Sequence, residues 1–87
     1  MLTVTHTAAA YLTQMLEDME APEGIVVRIV FGFRGLEFQA SAECPGDTSF
    51  AFEGKTVLVL DNHLTTALET KTLDTRQIGQ ELTLDLV

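Results

Sequence analysis

The stretch Val26-Val27-Arg28-Ile29-Val30-Phe31-Gly32-Phe33-Arg34-Gly35-Leu36-Glu37-Phe38-Gln39-Ala40-Ser41-Ala42-Glu43 decides the fold. Ile25–Phe31 is rich in branched residues and apolar on both faces apart from Arg28, which is the pattern of a central strand. Leu36–Glu43 alternates instead. Leu36, Phe38, Ala40 and Ala42 face one way and Glu37, Gln39, Ser41 and Glu43 the other, which predicts a strand with one wet face. The glycine-flanked turn Gly32-Phe33-Arg34-Gly35 joins the two runs, so the segment reads as a hairpin.

Outward from the hairpin, the chain alternates short elements with clear stops. Leu2-Thr3-Val4 reads as a short strand, and Thr5 as a helix N-cap whose hydroxyl can accept from a free backbone N–H. Ala8, Leu12, Met15, Leu16 and Met19 follow at helical spacing. Glu17, Asp18 and Glu20 oppose the dipole at the helix end, so the last turn is expected to fray before Ala21-Pro22-Glu23-Gly24 stops it. Beyond the turn Cys44-Pro45-Gly46-Asp47, Ser49–Phe52 and Lys55–Leu60 flank Glu53-Gly54, a two-residue hairpin turn. Asp61 or Asn62 can cap a short helix over His63–Leu68, and Thr72–Ile78 and Glu81–Val87 are two further extended segments. The fold class is mainly β with one N-terminal helix, a compact β-sandwich or pseudobarrel in a single domain over residues 1–87.

Charge and cysteine use exclude several functions. Five Lys and Arg stand against 13 Asp and Glu, a net charge of -8. That surface repels phosphate backbones and anionic membranes, and the basic residues are scattered, so neither nucleic acid nor membrane is an expected partner. A basic protein surface is. Met1–Thr7 lacks the basic start and apolar run of a signal peptide, and no apolar stretch approaches the roughly 18–20 residues of a membrane span. One cysteine permits no internal disulfide, which fits a reducing compartment and makes cytoplasm the default location.

The order of fragments resembles the HesB/IscA family, the A-type carriers of iron–sulfur clusters. Leu2-Thr3-Val4-Thr5 with Ala8-Ala9-Ala10 is similar to that family's opening strand, threonine cap and alanine-led helix. Ala21-Pro22-Glu23-Gly24 resembles its helix-to-strand turn, and Val27-Arg28-Ile29 its arginine-bearing strand. Val57-Leu58-Val59-Leu60-Asp61, with Leu64 and Leu68 beyond, looks like its later strand and short helix, and Thr72-Leu73-Asp74 like the Thr-x-Asp strand after them. The resemblance implies the HesB/IscA-like fold and a ligand turn at Gly32–Gly35. In the family that turn carries a cluster-ligating cysteine, and a Cys-Gly-Cys tail supplies two more. Here the turn holds Phe33 and Arg34, and Val87 ends the sequence without that tail. The expectation is a degenerate member that carries no cluster.

The other chemistry-bearing residues point the same way. An extended Leu36–Glu43 puts Cys44 about 25 Å from the turn, too far to share a metal with it. Cys44 reads as an exposed turn cysteine. His6 and His63 start helices and have no second ligand at metal spacing, so surface or capping roles are expected. No nucleophile–base, P-loop or dinucleotide pattern is present, and enzymatic activity is not expected. Phe33 and Arg34, shaped by Gly32 and Gly35, are the residue types enriched at binding hot spots, and are the expected protein-binding site. Against that, Phe33 could fold into the core and Arg34 pair with a carboxylate. Two other functional readings stay open: iron or cluster handling through ligands assembled across a homo-oligomer, and a small-ligand pocket lined by Phe31, Phe33 and Phe38.

Overall fold

The computed structural model describes residues 1–87. In chain order its elements are β1 (Thr3–Val4), α1 (His6–Asp18), β2 (Ile25–Gly32), β3 (Gly35–Ala42), β4 (Thr48–Phe52), β5 (Lys55–Leu60), α2 (Asn62–Ala67), β6 (Thr72–Ile78) and β7 (Glu81–Leu86). The strands make two sheets, one ordered β3-β2-β5-β4 and the other β1-β6-β7. The β2–β3, β4–β5 and β6–β7 pairs are antiparallel. The β2–β5 and β1–β6 pairs are parallel and join segments distant in sequence. As the run Ile25–Phe31 predicts, β2 is central, flanked by β3 and β5.

The core forms where the inner face of the larger sheet meets α1, α2 and the smaller sheet. Leu12, Ile29, Leu58, Leu60 and Leu73 are its largest fully buried side chains. Burying each such side chain contributes about 1.5–3 kcal/mol. The helical stripe reaches this core through Ala8, Leu12 and Leu16, but Met19 lies 45% exposed. The reason is that α1 ends before the proline turn. Met19 is the C-cap, Glu20 takes a left-handed φ of 50°, Ala21 N–H bonds to Leu16 C=O and Glu20 N–H to Glu17 C=O. These two bonds are a Schellman closure with glutamate in the place glycine usually takes. The expected frayed turn is therefore a closed cap.

The alternation of β3 is realised only in part. Leu36 and Phe38 pack on the core, whereas Ala40 and Ala42 are exposed. Ser41, on the face expected to be wet, is half-buried because it accepts a hydrogen bond from Arg28 Nε at 3.1 Å. At Glu53-Gly54 both residues have positive φ, 53° and 80°, the requirement of a two-residue hairpin turn of the mirror-image kind.

Candidate functional site

The β2–β3 hairpin is continuous in register from Ile25↔Ala42 to Gly32↔Gly35, so only Phe33 and Arg34 lie outside the ladder. Neither has positive φ; the left-handed conformation falls on Gly35, at φ 110°. A side chain there would be strained, which explains that glycine. Gly32 has a different role. The Glu37 carboxylate lies over it, occupying the space a Cβ would take.

This geometry leaves the tip standing clear of the protein. Phe33 is fully exposed and Phe31 is 62% exposed. Arg34 is exposed and enters neither of the two ion pairs, Arg28–Asp47 and Arg76–Asp85. Phe33 thus does not fold into the core, and Arg34 has no carboxylate partner. The alternative of a pocket lined by Phe31, Phe33 and Phe38 is not met. Phe38 lines a seam with Leu36, and Phe31 and Phe33 line none of the three cavities. Phe31 lies near the end of β2 and Phe33 in the turn that follows, both exposed.

Two aspartates anchor the framework away from the tip, Asp47 at the opposite end of the hairpin and Asp74 in the smaller sheet. Arg28, in β2, donates from Nη1 to Asp47 Oδ1 at 3.1 Å, from Nη2 to Asp47 Oδ2, and from Nη2 to Ala42 C=O at 3.1 Å. Asp47 Oδ2 also accepts from Cys44 N–H at 2.7 Å. Only 14% and 5% of the Arg28 and Asp47 side chains remain exposed. The Arg28 guanidinium, with the Cys44 amide second, lowers the Asp47 carboxyl below its ordinary value, and the same pairing raises Arg28. Asp74, in β6, accepts through Oδ1 from Thr5 Oγ1 at 2.8 Å, Thr75 N–H at 2.8 Å and Thr7 Oγ1 at 3.0 Å. These bonds, the Thr5 hydroxyl foremost, lower its carboxyl as well. Thr5 in turn accepts from Ala8 N–H at 3.1 Å, the expected N-cap. The sequence signals were Arg28 inside an apolar strand and the Thr-x-Asp of β6. Neither names its partner.

The remaining candidates lie apart. Cys44 is exposed and follows the far end of β3 from the turn. His6 begins α1 with its ring edge-on to Phe52, centroids 5.0 Å apart, and His63 is exposed in α2. No three His, Cys, Asp or Glu side chains of one chain converge as a metal-binding group. An iron–sulfur cluster needs about four ligands, most often thiolates, and the residues of one chain do not fit that set. No helix is long and apolar enough to cross a membrane.

No family model matches the chain, and no curated protein does. Solved structures do. SufA of Escherichia coli, involved in the biosynthesis of iron–sulfur clusters, superposes with a TM-score of 0.77 at 18% identity, over 99% of this chain and 83% of that one. IscA bearing a 2Fe–2S cluster superposes with a TM-score of 0.64 at 13% identity, over 100% of this chain and 84% of that one. The chain therefore has the HesB/IscA-like fold that its fragments resemble.

Proposed function

We propose that this chain is a non-enzymatic IscA-like protein that carries no iron–sulfur cluster and acts as an adaptor or regulator through protein contacts. Gly32, Phe33, Arg34 and Gly35 form its binding tip, and the cytoplasm is its compartment. The observation that carries the reading is the fully exposed Phe33 beside an unpaired Arg34 on a glycine-flanked turn. An exposed aromatic ring costs solvation in the free protein and regains it when covered, and a guanidinium without an internal partner is free to pair across an interface. The lone, displaced Cys44 supports the absence of a cluster.

The test is the paired substitution F33A/R34A. Because both side chains lie outside the core, melting should change little, within about 0.5 kcal/mol per site. Partners trapped by crosslinking to the wild type in cell extract and identified by mass spectrometry should be lost from the variant. Loss of an aromatic or arginine anchor can cost 2 kcal/mol or more of binding. A variant that melts normally and traps the same partners would place the site elsewhere. The iron-handling alternative, with ligands shared across an oligomer, predicts instead that iron drives association of the protein.

A further inference from the structure

The two sheets leave one side of the sandwich open. β3 ends the larger sheet and β7 the smaller one. Between them runs a seam of about 260 Å³ lined by Leu36, Phe38, Leu73, Leu84, Asp85 and Leu86. Leu73 is buried at its floor, and the other five are only half-buried. β3 pairs with β2 along all 8 of its residues and with nothing on its other side. That side presents regularly spaced, unpaired backbone N–H and C=O groups. Free edges are normally protected by proline, lysine or a bulge. β3 has none of these, whereas the opposite edge, β4, carries a register shift at Phe50/Ala51.

We propose that the β3 edge and the seam behind it accept an extended segment of a basic protein partner by strand addition. Main-chain bonds to β3 would hold the segment, and its alternate apolar side chains would fill the seam over Leu36, Phe38, Leu84 and Leu86. The intervening side chains would stand beside Glu37, which is exposed on the other face of β3. Charge selects the partner. Glu37 flanks the outer face of the added strand, and Glu43 follows the end of β3. Arg34, at the turn, is the one cation next to this edge in sequence. The net charge of -8 draws a basic segment in and opposes a second copy, whose own Glu37 and Glu43 would approach like charges.

The probe is a peptide of about nine residues alternating valine and lysine, long enough to span the strand, compared with its valine–glutamate counterpart. At low salt the lysine peptide should bind at least about tenfold more tightly than the glutamate peptide, and added salt should weaken it. E37K should lose about tenfold and E37Q about threefold, while E17K should stay within about twofold, because Glu17 lies on α1 and not on β3. Residue-resolved amide exchange should slow at alternate positions of Gly35–Ala42 and stay unchanged in β4. F33A/R34A should bind the peptide within about twofold of wild type, so the edge and the tip fail or succeed separately. No binding by either peptide, equal binding of both, or protection at β4 or the tip in place of β3 would overturn the proposal. So would β3 protection in a sedimenting dimer without peptide, which gives the edge to a second copy.

Discussion

Arg28 is a charged residue inside an apolar strand, and its contacts explain how it is tolerated. A half-buried guanidinium is costly unless its donors are filled. Asp47, Ser41 and Ala42 C=O fill them, so the same contacts tie the β3–β4 loop across the sheet. Asp74 does equivalent work at the start of α1. Both carboxyls are lower in the folded protein than in the unfolded chain, so each stabilises the fold fully above its unfolded value of about 3.9. That stabilisation is lost as pH falls through the folded value. Melting temperature should therefore decline below about pH 4, and D47N and D74N should each destabilise at neutral pH and flatten the decline. A variant with the full wild-type acid slope would remove that carboxyl from the linkage. The Cys44 side chain, unlike its amide, has no such role. It should be alkylated in the folded protein at about the rate of a small-molecule thiol, because it is exposed. Resistance to labelling until denaturation would show that its loop is covered.

At the scale of elements, the hairpin makes a sharp distinction between its two glycines. Gly35→Ala must place a side chain at φ 110° and should cost about 1–3 kcal/mol, the usual range for backbone strain. Gly32→Ala meets only the flexible Glu37 carboxylate and should cost less. Urea melts of the two variants check the order, and equal losses would contradict the turn geometry. The β2–β3 and β4–β5 hairpins, α1 with its Thr5 cap, and the short second helix were legible in the sequence, because period and turn chemistry are local. The end of α1 was not. Glutamate at the left-handed position after the C-cap has no compositional signal, and the proline turn masked it. The exposure of Ala40 and Ala42 was equally hidden, since alternation records which face a residue takes and not whether another layer extends over it.

The whole molecule depends on pairings between distant segments. β1 lies on β6 and β2 on β5 in parallel, and no local pattern specifies either. Here the order of family-like fragments was informative where periodicity was silent. It led to the fold shared with SufA and IscA and to the Gly32–Gly35 turn. The exposure of Phe33 and the seam between β3 and β7 needed three dimensions, because each depends on which layers cover the hairpin. The central claim, a HesB/IscA-like fold without cluster chemistry, is tested most directly by anaerobic reconstitution with iron and sulfide. The expected result is a colourless protein after desalting, with no thiolate-to-iron charge-transfer absorption and substoichiometric iron, since Cys44 is the chain's only thiol. A stable brown protein holding stoichiometric iron and sulfide would contradict it.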